Sequence, residues 1–394
     1  MSDRAAKKAA LAAQSAESIH LRAQVLDSVR SRADHIPEGG SGKLNGKVGA
    51  ITGVGPESGI GTAAAKLFAR EGAAHIYLID YTSTPIPSLL SSLTTTYPLT
   101  KFTFLQADAA DPTAISSLIN QALSEEGRFD FFFANAGVSQ IAKMEEGKNG
   151  SLMSFIRPVE AVEEAEFDEV MRINALGAFV AIKYAAGAMS KLCPEKGKTI
   201  PGGSIVLTAS VAGLKANAGP IPYSAAKAAV ISMAQTSAFA FTGLNIRVNA
   251  VCPGLIETNM TKSLFALAKA NQTTNRIGVL NPTLRQGLGF EVAHTALFLV
   301  SGEPPFSLFF SSPSPFPPPS LPPSPSLICF RIPRVPRALA HTSYKGQMAK
   351  GQRGKGAKRQ KGKKAKDDSS YVNGQAIPVD GGLSAGVPYV RNKI

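Results

Sequence analysis

Ser210, Tyr223 and Lys227 are the residues from which chemistry can be read in this chain of 394 residues. Tyr223 and Lys227 are four apart, so a helix places both side chains on one face, with the ammonium in range of the phenol. A free tyrosine has a pKa of about 10 and is a poor base unaided. A neighbouring cation favours tyrosinate and is expected to lower that value. Such a phenol takes a proton from an alcohol or gives one to a forming alkoxide, which is the acid/base half of a hydride transfer. Ser210 follows the apolar run Ile205 to Leu207 and stands thirteen residues before Tyr223. A strand ending there brings three polar groups to one corner, where the serine hydroxyl can hold the reacting oxygen. Taken alone, Tyr-x-x-x-Lys would be read as a chance surface pair.

The elements around that corner read as alternating strands and helices. Lys47 to Thr52 is a short buried strand, followed by Gly53-Val-Gly55-Pro-Glu-Ser-Gly59-Ile60-Gly61 and a helix-like run to Gly72. Glycines between a strand and a helix let the backbone approach a pyrophosphate, and the helix N-terminus offers unpaired amides. The next strand, from His75, ends in Asp80, nineteen residues past Gly61. An acid there accepts from the adenosine ribose hydroxyls and repels a 2'-phosphate, so NAD is expected in preference to NADP. Tyr81 and Thr82, rather than an Arg, follow it. Phe102 to Gln106 is a third strand leading to Asp108, read either as an adenine-side residue or as a turn acid before the helix opened by Asp111-Pro112. Phe129 to Ala134 is a fourth strand running into Asn135-Ala136-Gly137. Asn174 lies in the helical stretch Val170 to Phe179, whose apolar positions argue burial. After the Tyr223 helix, Asn245 to Val251 is a sixth strand leading to Cys252-Pro253-Gly254-Leu-Ile256-Glu-Thr258.

Together these motifs closely resemble the short-chain dehydrogenase/reductase family, over roughly 45–301 and 367–386. The resemblance implies that Tyr223 is the proton donor or acceptor and Ser210 positions the carbonyl. It makes Lys227 a pKa modulator and ribose ligand, and Asn174 a proton-relay residue. Gly53, Gly55, Gly59, Ile60, Gly61, Asp80, Asp108, Asn135, Ala136 and Gly137 would line the dinucleotide, with Pro253, Gly254, Ile256 and Thr258 at the nicotinamide end. Two departures stand out. The family's Thr-Gly-x-x-x-Gly-x-Gly turn carries two more residues before Gly59, and its Asn-Asn-Ala-Gly has Ala134 in first place. The longer segment between Gly137 and Asn174 is expected to be a substrate-cleft wall or a solvated loop. Residues 259–289 are expected to form the substrate flap, with Met260, Leu264, Phe265 and Leu267 as apolar contacts.

Composition sets the remaining bounds. Cys193, Cys252 and Cys329 are odd in number and lack metal-ligand spacing. No disulfide framework or metal site is therefore expected, and a reducing compartment is. No apolar run approaches the roughly 18 residues of a membrane span. Residues 1–44 are an Ala-rich N-terminal extension of mixed charge, a helical or frayed segment rather than a mitochondrial transit peptide, which leaves the cytoplasm as the expected location and the mitochondrion as the alternative. The net charge of +14 is not spread evenly. Residues 303–366 hold 13 of the 42 Lys and Arg and one of the 28 acids, leaving the remainder at +2. That tract also contains 12 of the 27 prolines, a composition that buries no core and is expected to be disordered. The expected organisation is an extension 1–44, a catalytic domain 45–301, an insert 302–366 and a strand and tail 367–394 that complete the domain. Joining Ser301 to Asp367 restores an uninterrupted pattern, so the insert reads most simply as retained intron sequence.

The expected fold is α/β, a doubly wound parallel sheet (Rossmann fold) of about seven strands with helices on both faces. The implied function is NAD-dependent interconversion of a secondary alcohol and a ketone, using the pro-S face of the nicotinamide. A homodimer or homotetramer through the Asn174 and Tyr223 helices goes with it. The alternatives are an NADP-preferring carbonyl or 3-oxoacyl reductase, a dinucleotide-sensing or scaffold protein without turnover, and nonspecific nucleic-acid binding through the basic insert.

Overall fold

The computed structural model describes residues 20–31, 39–139, 159–216, 218–271, 281–301 and 372–380. The expected insert 302–366, the segment 140–158 and most of the N-terminal extension lie outside the described residues. Within the extension, residues 20–31 form a helix, α1.

The apolar runs become a parallel sheet because each is too short for a helix and is covered on both faces. The strands are β1 (Val48–Thr52), β2 (His75–Asp80), β3 (Lys101–Gln106), β4 (Phe131–Ala134), β5 (Gly203–Thr208), β6 (Ile246–Pro253) and a last strand, β9 (Ala376–Val379). Their order in the sheet is β3-β2-β1-β4-β5-β6-β9, every pairing parallel. The order reverses between β1 and β4, which opens a crevice at the strands' C-terminal ends. Two short strands, β7 (Ile256–Glu257) and β8 (Gly287–Leu288), pair separately beside it.

Helices cover both faces. On one side pack α4 (Pro112–Glu126), α6 (Gly177–Met189) and α7 (Ile221–Ala240), around Ile115, Leu118, Ile182, Val230 and Ala234. On the other pack α2 (Ile60–Arg70), α3 (Ile86–Thr96) and α9 (Gly289–Val300), around Leu67, Phe68, Leu93, Val292 and Leu297. The run Phe131-Phe132-Phe133 shows how alternation serves both layers. Phe132 enters the first cluster, while Phe131 and Phe133 enter the second. There Phe131 meets the Phe68 ring edge-on at 5.4 Å. A Cβ on Gly49 would come within 2.2 Å of the Phe131 carbonyl oxygen, so the central pair β1–β4 requires a glycine there.

The last strand is attached by side chains as well as by its ladder. Wholly buried Asn249 on β6 donates through Nδ2 to the Val372 carbonyl (2.9 Å) and accepts from the Gln375 N–H (3.0 Å). The Asn373 side-chain oxygen accepts from the Val248 N–H at 2.8 Å.

Most expected elements lie within two residues of where the sequence places them. The Asn174 region differs: the helix from α5 (Glu164–Met171) does not run straight into α6, because Arg172–Leu176 make a π-helical turn. One extra residue in that turn re-aims the side chains at its centre.

Candidate active site

Three strand ends converge on the crevice. Gly53 leaves β1 with φ at +75°, a value that favours glycine, and its N–H donates to the Ile79 carbonyl (2.8 Å). A Cβ on Gly61 would fall 2.2 Å from the Gly53 carbonyl oxygen, so α2 can start this close to β1 only with a glycine there. Gly59 is the N-cap of α2 and offers no side-chain cap, which leaves the first amides, including that of Ile60, open to an anion. Asn135 pins the turn after β4. Its Nδ2 donates to the Thr52 and Gly53 carbonyls (3.2 and 3.1 Å), and its Oδ1 accepts from the Thr208 hydroxyl (3.1 Å). The Thr52 hydroxyl accepts from the N–H of both Asn135 and Ala136 (3.0 and 2.9 Å).

Ser210, Tyr223, Lys227 and Asn174 come together at the end of β5. Ser210 caps a single 3-10 turn, Val211–Gly213, by accepting from the Ala212 N–H at 3.1 Å. That turn packs on α7, and the Ser210 hydroxyl also hydrogen-bonds the Tyr223 phenol. Pro222 in the first turn of α7 starts the helix just ahead of Tyr223. One turn on, Lys227 is buried, and its Nζ lies 5.5 Å from the Tyr223 ring centroid and donates to the Thr208 carbonyl at 2.8 Å. Burial holds the Lys227 ammonium down at about 8. The phenol differs from the sequence expectation. Burial pushes Tyr223 above the ordinary tyrosine range, and the Ser210 hydrogen bond pulls it only part of the way back. Desolvation therefore outweighs the neighbouring cation.

Asn174 sits at the centre of the π turn, and its Nδ2 donates to the Val138 and Val170 carbonyls, both at 3.0 Å. Its Oδ1 is buried without a hydrogen-bond partner, an arrangement that costs energy unless something else meets it. A Cβ on Gly137 would be 2.6 Å from that oxygen and 3.2 Å from the Lys227 Nζ, so the amide oxygen and the ammonium flank the same point.

The other candidates are placed as follows. Asp80 accepts from the Gly55 N–H (2.9 Å) on one oxygen, and from the Thr82 N–H and hydroxyl (2.9 and 2.8 Å) on the other. Asp108 is engaged on both oxygens: one accepts from the Ala110 N–H (2.8 Å) and the other pairs with Arg172 on the π turn. Asp111, not Asp108, caps α4, accepting from the Thr113 and Ala114 amides. Pro253 ends β6 opposite Val379, and Gly254 has no room for a Cβ, which would lie 2.9 Å from the Asp380 Cα. The Ile256 side chain is buried in the core with α2 and α9. Thr258 begins a short turn in which Thr261 closes a capping box. The flap residues Met260, Leu264, Phe265 and Leu267 are half-buried on or beside α8 (Lys262–Ala270).

Sequence reasoning missed the walls of a cavity of about 630 Å³ beside the glycine turn, lined by Pro56, Glu57, Ser58, Thr82, Thr84, Pro85 and Asn259. The two-residue expansion before Gly59 was its only signal. The cradle fits a dinucleotide: uncapped amides at α2, glycines where backbone must approach, and an orphaned amide oxygen beside a buried ammonium.

Comparison with known proteins agrees. The family profile described as short chain dehydrogenase matches residues 47–268. Levodione reductase from Leifsonia aquatica is 31% identical over 264 residues, covering 66% of this chain and 90% of that protein. The 3-oxoacyl-[acyl-carrier-protein] reductase FabG of Thermotoga maritima is 34% identical over 268 residues, covering 66% of this chain and 93% of its own. The crystal structure of levodione reductase superposes with a TM-score of 0.60 at 26% identity, covering 87% of this chain and 100% of that one. A short chain dehydrogenase from Mycobacterium paratuberculosis bound to NAD shares the fold, with a TM-score of 0.57 at 22% identity over 87% of this chain and 100% of that one. With the profile spanning more than half of the sequence, a parallel seven-stranded sheet and these relatives, the chain belongs to the short-chain dehydrogenase/reductase family of oxidoreductases.

Proposed function

We propose that this enzyme interconverts a secondary alcohol and a ketone and prefers NAD to NADP. The observation that carries the reading is the Ser210–Tyr223–Lys227 corner with the orphaned Asn174 oxygen beside it. When bound, the nicotinamide supplies or accepts the hydride, and this chain's residues manage the proton. An ordinary tyrosine is already protonated at neutral pH and burial of Tyr223 favours that form further, so the phenol stands ready to donate to the oxygen of a ketone being reduced. In the oxidative direction the same oxygen must accept the alcohol proton, and the Lys227 ammonium, largely charged at pH 7 with its value of about 8, stabilises the phenolate. Ser210 donates to the reacting oxygen and fixes its distance from Tyr223. Asn174 holds the proton path from Lys227 toward solvent through its unpaired oxygen, and Gly137 keeps that space open.

Preference for NAD rests on Asp80 at the end of β2, where no Lys or Arg among the described residues lines the neighbouring cavity. Gly53, Gly55, Gly59, Ile60 and Gly61 would hold the pyrophosphate, and Pro253, Gly254, Ile256 and Thr258 the nicotinamide end. Asp108 would border the adenine and Asn135–Gly137 the cleft. We assign the protein to the cytoplasm on its buried free thiols, Cys193 and Cys252. No helix of the described residues is long and apolar enough to cross a membrane. Assembly into a homodimer or homotetramer is supported by exposed Phe167 on α5, Leu176 at the end of the π turn and Phe179 on α6. Residues 302–366 are proposed to be foreign to the working protein, and transcripts that consistently encode them would overturn this.

The test is a titration of the full chain with NADH and NADPH by cofactor fluorescence, then a screen of secondary alcohols and ketones with wild type and Tyr223→Phe. Turnover that falls by about 10²–10⁴-fold in the variant, with NADH affinity kept, is expected. Equal turnover in both proteins would refute the assignment of Tyr223.

A further inference from the structure

The cavity beside the glycine turn is lined by one carboxylate, Glu57. Glu57 lies in the two-residue expansion, is exposed, lines the cavity, and has no hydrogen-bond or ion-pair partner among the described residues. Asp80, by contrast, is already committed. It accepts three protein donors, the Gly55 N–H and the Thr82 N–H and hydroxyl. An ionised carboxylate has about four acceptor sites, so Asp80 keeps about one. The adenosine ribose of a dinucleotide brings two hydroxyl donors. One of them needs a second acceptor.

The expansion that departs from the family's spacing supplies it. Gly55, tied to Asp80, begins the extra stretch, and Pro56, whose ring fixes φ, directs the chain into Glu57 along the cavity wall. Across that cavity stand Thr82 and Thr84, and Thr82 is itself bonded to Asp80. The one charged residue on the cavity wall, Glu57, is thus acidic, with hydroxyls around it and no cation among the described lining residues. Such a surface suits a free diol and repels a phosphate monoester.

We infer that Glu57 is a second ribose-reading residue, accepting from the adenosine 2'-hydroxyl while Asp80 keeps the 3'-hydroxyl, so that a pair of carboxylates sets the cofactor preference. This rests on the proposed preference for NAD. Glu57 accordingly acts on cofactor affinity and leaves the proton chemistry at Tyr223 alone.

The experiment titrates full-length wild type, Glu57→Ala and Glu57→Gln with NADH, NADPH and NADH lacking the adenosine 2'-hydroxyl. Glu57→Ala is expected to weaken NADH about tenfold, the size of one lost hydrogen bond to a charged group. The 2'-deoxy analogue is expected to bind wild type and Glu57→Ala equally, and Glu57→Gln to gain affinity for NADPH. Thermal midpoints serve as the control, since Glu57 is exposed and its replacement is expected to leave the fold unchanged. If Glu57→Ala weakens NADH and the deoxy analogue alike, or weakens neither, the inference is overturned while the preference for NAD stands. If wild type binds NADPH as tightly as NADH, the preference itself fails, and that is seen before any variant is made.

Discussion

Lys227 occupies a site that disfavours its own charge, and Lys227→Met exposes the cost. The ammonium is buried and held at about 8 in the folded chain, against an ordinary value of 10.5. Between those two values the unfolded chain binds more protons than the folded one, so stability rises with pH across that window. A shift of this size corresponds to roughly 3 kcal/mol at 25 °C, present as a full penalty below pH 8 and relieved as pH climbs toward 10.5. Methionine has no such penalty, although it leaves the Thr208 carbonyl without the 2.8 Å donor it has now. The variant's stability relative to wild type is therefore expected to fall by about 2 kcal/mol between pH 7 and pH 9.5, whatever the offset from the lost hydrogen bond. Urea unfolding of both proteins at the two pH values, without cofactor, measures it, with m-values confirming that the same surface is exposed. A difference that does not change with pH would refute the reasoning. It would mean that water reaches Nζ and the ammonium titrates normally.

Three further outcomes follow from the same geometry. Gly137→Ala places a methyl 2.6 Å from the Asn174 oxygen, so turnover is expected to fall at least about tenfold with a stability loss of about 1–3 kcal/mol; steady-state kinetics beside a urea curve checks both. Asn249→Ala removes two buried hydrogen bonds to the segment leading into β9, and a loss of about 2–4 kcal/mol is expected, read as a lower urea midpoint. At the opposite end of the sheet, His75 stacks on Tyr77 and meets Glu126 at 3.1 Å, with Glu125, Lys101 and Lys196 around the same cluster. Burial lowers the imidazole's pKa despite those carboxylates. The unfolded chain then takes up the proton first, so this contribution is whole above about pH 6.5 and lost as pH falls below it. Thermal midpoints of His75→Gln are expected to decline less than those of wild type between pH 6.5 and 5.

Much of this was legible in the residues because burial on both faces writes itself as uninterrupted apolar runs. Strands such as Val48–Thr52 and Gly203–Thr208 could be read directly, and with them a site at the strands' C-terminal ends. The spacing from Ser210 to Lys227 carried the corner, since helix geometry is fixed by four residues. What stayed hidden has physical reasons. The π turn at Arg172–Leu176 differs from an α-helix by one residue, and no residue type announces it. Two-residue strands such as Gly287–Leu288 are too short to show alternation. The direction of the Tyr223 shift depends on how far water is excluded, which spacing does not encode. For the glycine turn, its extra length was visible, but not that Gly55 would engage Asp80 and send Glu57 along the cavity wall.

The late arrival of β9 has a consequence for how the protein is made. β6 ends at Pro253, and its partner strand begins only at Ala376. At a synthesis rate of about 5–20 residues per second, the roughly 120 residues between them take about 6 to 25 seconds to emerge, and the roughly 57 that remain without residues 302–366 take about 3 to 11 seconds. Throughout that interval the β6 edge from Ala250 to Pro253 lacks its neighbour, and the Asn249 amide has neither of its mates. An unpaired apolar edge is a template for another nascent chain. The four residues Ala376–Val379 close that edge, so anything that shortens the chain between Pro253 and Ala376 shortens the time for which it stays open.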